Sequence, residues 1–428
     1  MKIFLEEKES LKNLLTNNKS KFCFTSDIWY SIQGLGYMCI TIHFIDSNWI
    51  LQKRILAFTR IEPPHTCANI STIIYNILQE FKIIDKVFTL TLDNASENIV
   101  AARNLKSILK LNCDGLFFHE KCVCHILNIM VQNRLQYIKL LIDKIRSTVL
   151  HLSGSEKRAK MFYTFCERYN MKYKKIPLDV PHRWNSTYLM LDVALDYRIP
   201  LNEYISWHQH QVLSSQSTSS TTYFLEHPTE EEWAQADCMR LFLKVFYDAT
   251  VAMSASYEST VVNFYHHLIK ITDIFSQYAS VEIFKPILVA IKEKFEKYWN
   301  TLPVIYGLAV IIDPRLKEAY LPNIFDAIYG SDASSSMEIH ATRIKVINIT
   351  FKMLFDEYSV QLGVGSDQTP AHPTPPRPRS SSTWAKIRFG GSSSRGSTSG
   401  GETSVSELQQ YLNAMTVEPD DDFKILAW

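Results

Sequence analysis

The spacing of apolar and polar positions changes several times along the chain. In the first twenty residues Phe4, Leu11, Leu14 and Leu15 fall near one helical face among Lys and Glu, which predicts a short helix over 1–20. From Lys21 to Trp29 the period shortens, and the β-rich run Phe22-Cys23-Phe24-Thr25-Ser26 leads into Asp27. Over Tyr37–Asp46, Tyr37, Cys39, Thr41 and His43 alternate with Met38, Ile40, Ile42 and Phe44, and Trp49–Ile61 predicts a third strand. The turns between them, Gln33-Gly34 and Asp46-Ser47-Asn48, are short and polar, so an antiparallel meander is expected.

A helical period follows over Asn69–Phe81, then a short apolar strand, Val87–Leu92, ending at Asp93-Asn94. Ser96 is placed to cap the next helix, which carries Ile99, Val100 and Leu105. Leu116–His119 predicts a fifth strand, and the pattern is helical from Cys122 to about Val149. The order β-β-β-α-β-α-β-α, three antiparallel strands and then a helical crossover, predicts an α/β fold with a ribonuclease-H-like mixed sheet. Beyond Pro181 the chain reads as helical, with a Ser/Thr-rich loop at Ser214–Thr222 and long helices at Glu230–Met253 and Phe284–Trp299.

Composition narrows the classes. Of 428 residues, 46% are apolar, so most of the chain should fold. Lys plus Arg is 45 against 44 for Asp plus Glu, which excludes a polybasic protein or an acidic tail but not a local basic face. Eight irregularly spaced Cys make no disulfide framework and point to a reducing compartment. No apolar run approaches the roughly 18–20 residues of a membrane span, so a soluble intracellular protein with no membrane partner is expected. Gln368–Gly401 lacks Asp and Glu and is rich in Pro, Ser, Gly and Thr, which predicts a disordered linker before a short helix at Ser404–Met415.

Four groups could carry chemistry. Asp27 and Asp93 end two strands that are parallel neighbours in the expected sheet; two such carboxylates could share Mg²⁺ or Mn²⁺, but Asp at a strand end also serves as a turn or cap residue. Cys122 and His125 share one helix face beside Cys124. Zinc needs four ligands in two pairs, so no zinc is predicted and a structural role is favoured. Arg183-Trp184 could stack on an unpaired base and hold its phosphate, or Trp184 could staple two subdomains together. Residues 156–175 carry Lys157, Arg158, Lys160, Arg168, Lys172, Lys174 and Lys175 against Glu156 and Glu167, with aromatic residues interleaved. This is either a phosphate-binding track or a solvated helix face.

Several segments together resemble the hAT superfamily of DNA transposases, most nearly the plant BED-zinc-finger, Ricesleeper-like group. They include Phe24 through Trp29, Leu90 through Ser96, Cys122 through Asn128, Asp179 through Leu191 and Ile312-Asp313-Pro314-Arg315. The resemblance implies a ribonuclease-H-like core interrupted by a large all-α insertion. It matches Asp27 and Asp93 to the first two catalytic acids, Cys122 and His125 to a motif near the active site, and Trp184 to a base-contacting motif. The implied organisation is an N-terminal helix (1–20), the first part of the core (21–195), a helical insertion with further hAT-like RNase-H-fold region (196–365), the linker (366–403) and the start of a dimerisation region (404–428).

Against that family pattern, the BED finger, the third acid and most of the dimerisation region are not recognisable here, and His182 and Glu97 are smaller departures. The expectation is therefore a truncated, transposase-derived DNA-binding protein in the nucleus. Its metal site would be weak or vestigial and its cleavage impaired, and any homo-oligomer or assembly with related hAT proteins would be weakened. The alternatives are a non-enzymatic scaffold or transcription regulator acting through protein partners, and an active Mg²⁺-dependent nuclease if a third acid is supplied in trans.

Overall fold

A computed structural model describes residues 2–181, 183–214, 224–256, 259–300, 302–330, 334–362, 407–418 and 423–427. The expected linker, His182, most of the Ser/Thr-rich loop, Asp420–Asp422 and Trp428 lie outside the described residues. The chain divides into two compact units: Met1–His125 with Ala252–Thr272 and Thr301–Trp428, and Ile126–Val251 with Asp273–Asn300. The expected division near residue 195 therefore differs from the observed one, which falls inside the helix that follows the fifth strand.

The first unit is built on a five-stranded sheet of order β3-β2-β1-β4-β5. Its strands are β1 (Phe22–Tyr30), β2 (Gly36–Ile45), β3 (Leu51–Ile61), β4 (Val87–Leu92) and β5 (His119–Lys121). β1, β2 and β3 pair antiparallel, whereas β4 lies parallel to both β1 and β5. This is the α/β mixed sheet expected from the alternation of apolar positions. Phe22, Phe24, Ile40, Ile42, Leu90 and Leu92 pack into one core with Ile70, Ile74 and Leu78 of α2 (Cys67–Glu80) and Ala101 and Leu105 of α3 (Ser96–Ile108).

Local physics moves several boundaries. In α1 (Lys2–Asn17) only Leu15 is buried, and Phe4 and Leu14 are exposed. The end of this helix is held by Lys86, whose Nζ donates to the carbonyls of Leu15, Thr16 and Asn18. β3 starts at Leu51 because Asp46 Oδ1 accepts from the backbone N of Asn48 and Ile50, closing a turn with Trp49 at φ 60°. The expected fifth strand at Leu116–His119 is displaced to His119–Lys121. Cys113, Asp114 and Gly115 adopt left-handed φ, which turns the chain just before the apolar run. Ser96 is not the cap of α3; Ala95 is, and Asp93 fastens the turn instead.

The rest of this unit is helical: the first part of α10 (Thr260–Gln277), then α12 (Val304–Ile312), α13 (Leu321–Tyr329) and α14 (Ser334–Leu362). A Cβ at Gly307 would lie 2.4 Å from Ile347 Cδ1, so glycine is what lets α12 approach α14 this closely. Near the end of α14, Glu357 accepts hydrogen bonds from Asn112 Nδ2 and Cys113 N and so clamps the left-handed turn. A last helix, α15 (Glu407–Asn413), docks beside Asp313-Pro314-Arg315. Tyr411 Oη donates to the carbonyls of Ile311 and Ile312, and Val417 N donates to Pro314 O. The buried Lys317 Nζ donates to the carbonyls of Tyr411 and Ala414.

The second unit is all helical. It contains most of α4 (Val123–Val131), then α5 (Lys139–Ser153), α6 (Glu156–Arg168), α7 (Trp184–Asp196), α8 (Arg198–Ser214), most of α9 (Glu230–Met253) and α11 (Lys285–Trp299). The expected continuous helix from Cys122 to Val149 is broken by a 3-10 segment, Gln132–Ile138. There Gln132 and Arg134 reach out to Pro181 O and Ala290 O. Trp184, Tyr204, Trp233, Phe162, Phe242 and Phe284 dominate the core. No described helix is long and apolar enough to cross a membrane.

Candidate functional site

The parallel pairing of β1 and β4 brings the two predicted aspartates together. Thr25 pairs with Thr91, and Asp27 and Asp93 each stand two residues beyond that pair, on the same side of neighbouring strands. Asp27 is exposed and Asp93 half-buried. Asp27 Oδ1 accepts from the N of Ile28 at 3.0 Å. Asp93 Oδ1 accepts from the N of Ala95 at 2.8 Å and from Asn98 Nδ2 at 2.7 Å, which leaves Oδ2 without a protein donor among the described residues. Asp27 does not end its strand as expected but lies within β1, which runs on to Tyr30, whereas Asp93 stands just past the end of β4; two hard carboxylate oxygens on neighbouring strands suit Mg²⁺ or Mn²⁺. Asn98 Oδ1 and both polar atoms of the Asn94 side chain are buried without a protein partner, so the ground beside Asp93 is polar and suited to ordered water. Among the described residues no third His, Cys, Asp or Glu gathers with them closely enough to make a three-ligand set.

Cys122 continues the sheet edge, its N donating to Leu92 O at 2.9 Å. A hydrogen bond from the Cys124 thiol lowers the Cys122 pKa, helped by the backbone N–H groups of His125 and Cys124, while burial and the Asp27 charge oppose the shift. The Cys124 thiol is raised, first by that same bond and then by burial. The two sulfurs thus form a donor–acceptor pair with each other.

Glu120 pairs with Thr91 across β4 and β5 and therefore shares the face of Asp93. Its Oε2 is buried without a partner, and burial pushes its carboxyl up to about 8. The buried Tyr306 phenol of α12 is raised by burial and by the charges of Glu120, Cys122 and Cys124, which places it over the same edge. Neither residue has a signal in the sequence, because each depends on strand register or on a helix far along the chain.

In the all-helical unit, Trp184 opens α7 and is 2% exposed, so its indole is enclosed, while Arg183 before it is exposed. The turn that carries them is tied down from several sides. Gln132 Oε1 accepts from Trp184 N and its Nε2 donates to Pro181 O. Arg146 donates through Nε and Nη2 to the buried Asp179, which also accepts from Thr187 Oγ1. Along α6 and the segment after it, Phe162 and Phe165 face inward and Lys157, Arg158, Lys160, Lys174 and Lys175 are exposed.

Comparison with known families fits this geometry. A model described as the ZBED1 RNase-like domain matches residues 25–117, which hold both aspartates. One described as the ZBED1 RNase-like helical domain matches 120–240, and one described as hAT-like transposase, RNase-H fold, matches 262–358. The chain belongs to the hAT transposase family. This hAT chain is 36% identical to the putative AC transposase of Zea mays, over 77% of its own length and 40% of that protein. It is 29% identical to zinc finger BED domain-containing protein RICESLEEPER 2 of Oryza sativa subsp. japonica, over 100% of its length and 58% of that protein. With DAYSLEEPER of Arabidopsis thaliana it shares 27% over 99% of its length and 57% of the relative. The chain thus spans about half the length of these relatives.

Proposed function

We propose that this hAT chain is a transposase-derived DNA-binding protein whose Asp27–Asp93 edge holds a divalent ion weakly and cleaves DNA poorly by itself. The observation that carries the reading is the shared register of the two aspartates past the Thr25–Thr91 pair. Asp27 and Asp93 would hold the ion, and Asn98 would fix Asp93. Bound there, Mg²⁺ or Mn²⁺ would relieve the repulsion between the carboxylates and polarise a phosphodiester oxygen. Two carboxylates grip such an ion less firmly than three, which is why slow chemistry is expected. The exposed cations Lys157, Arg158, Lys160, Lys174, Lys175 and Arg183 supply phosphate contacts, and the buried Trp184 anchors the start of the helix next to Arg183. The exposed Lys172, Lys174 and Lys175 support nuclear import. Homo-oligomers, or assemblies with related hAT proteins, belong to the same reading.

The test is a labelled hairpin-ended DNA duplex incubated with Mg²⁺ or Mn²⁺, reading binding and cleavage from the same samples. Binding that survives Asp27→Ala and Asp93→Ala, with little cleavage by any form, is the expected result. Strong cleavage lost in both variants would overturn the impairment. Failure of the unaltered protein to bind DNA would overturn the reading itself.

A further inference from the structure

The all-helical unit contains a cavity of about 300 Å³ that the two-carboxylate reading does not use. It lies between the end of α5, the first turns of α6 and the extended segment after α6. Leu152 and Ile176 line its apolar interior, Phe162 and Tyr173 are its aromatic walls, and Glu156 and Lys175 stand at its polar rim. Tyr173 is held edge-on by Phe162 at 6.4 Å and by Tyr163 at 5.8 Å between ring centroids, so the wall is pre-formed. The volume is at the small end of ligand pockets, about 300–1,000 Å³, which suits a single planar ring system.

The surroundings decide what such a ring is attached to. Lys157, Arg158, Lys172, Lys174 and Lys175 are exposed around this segment. The acids of the stretch are Glu156, already paired with Lys160 at 2.7 Å, and Glu167. An apolar aromatic slot with Lys175 at its rim, on a segment that carries further exposed cations, matches a base with phosphates on either side of it. A neutral peptide anchor would bring no matching charge. A paired base inside a duplex has its faces covered by its neighbours, so the occupant must be unpaired.

We infer that this cavity is a binding site for one unpaired nucleobase of a single strand that tracks along the basic segment. The inference rests on the DNA-binding reading and adds where, and in what form, the nucleic acid is gripped. Glu156 at the rim can accept a hydrogen bond from an exocyclic amine of the base, and Lys175 can meet its phosphate.

The test uses the full chain and two probes, a single-stranded oligonucleotide carrying 2-aminopurine and a fully paired duplex of the same sequence. The unaltered protein should change the 2-aminopurine fluorescence. Ser153→Trp plugs the rim from an exposed position, and Ala159→Leu fills the interior. Each should weaken single-strand binding by roughly tenfold, the loss of one stacked base, and leave duplex binding unchanged. Lys174→Glu with Lys175→Glu should weaken both probes. If Ala159→Leu lowers the melting temperature, Ser153→Trp carries the test. Plugged variants that bind the single strand as the unaltered protein does would overturn the cavity while leaving DNA binding intact. No binding of either probe by the unaltered protein would overturn the DNA-binding reading, and this inference with it.

Discussion

Asn98, buried in the first turn of α3, donates its side-chain amide to Asp93 Oδ1 at 2.7 Å and so fixes which carboxylate oxygen faces outward. Replacing it with Leu keeps the bulk and removes the donor. Losing a hydrogen bond to a charged group costs about 1.5–3 kcal/mol. Asn98→Leu is therefore expected to lower the melting temperature and to weaken Mn²⁺ binding several-fold by calorimetry. An unchanged Mn²⁺ affinity would show that Asp93 needs no such support.

Glu120 is expected to make the first unit sensitive to alkali. Burial raises its carboxyl from the ordinary 4.5 to about 8. A group raised in this way contributes its stability fully below about pH 4.5 and loses it as pH climbs through about 8. Glu120→Gln, which cannot ionise, should melt with the unaltered protein near pH 5 and above it near pH 9. Equal melting temperatures at both pH values would contradict the assignment.

The second unit should weaken in acid for the opposite reason. The His151 ring stacks on His208 at 4.3 Å, and burial, then the charges of Arg158 and His208, push it down to about 4. An unfolded His takes up its proton near 6.5, so stability is lost as pH falls from about 6.5 toward 4. His151→Phe keeps the stacked ring and should flatten that slope in a series of thermal melts. A slope unchanged in the variant would assign the acid sensitivity to other groups.

Asp179 carries a second acid-sensitive contact. Burial alone would raise its carboxyl, but hydrogen bonds from Arg146 and Thr187 and the Arg146 charge together hold it below the ordinary value. Its stabilising contribution is present above the unfolded carboxylate pKa and disappears as pH falls through the depressed one. Asp179→Asn removes the charged acceptor of two Arg146 hydrogen bonds while Asp143 stays paired with Arg146, and should cost about 1.5–3 kcal/mol at neutral pH. Because this pair ties down the turn bearing Arg183, DNA affinity should fall as well, and retained affinity in a folded variant would separate the turn from binding.

The sheet was largely legible because it buries one face against α2 and α3, and that burial writes a two-residue period into β1 and β2. The pairing of Asp27 with Asp93 followed from strand order together with family resemblance. β5 was displaced because a three-residue strand carries too little pattern, and the left-handed turn at Cys113–Gly115 is stabilised by Glu357, more than two hundred residues away. Tyr306 over the sheet edge was hidden by its place on a helix far along the chain, and Arg146 under the Arg183 turn by a side-chain pairing with Asp179 that carries no local pattern. In α1, periodicity placed Phe4 and Leu14 inward, yet no partner surface meets them among the described residues of this unit, and they stay exposed.

The contacts of Lys317 with Tyr411 and Ala414 make the tail a resident of the first unit whatever becomes of the chain between Leu362 and Glu407. If a protease cut that connection, the released piece would be a peptide ligand sitting in its own receptor. It would be retained by two carbonyls on a buried ammonium, a phenol on two backbone oxygens and the Phe423 ring 4.9 Å from the Arg315 guanidinium. Nicked protein would then run as two bands on a denaturing gel and as one species on a sizing column, and dilution would measure how tightly the fragment is held.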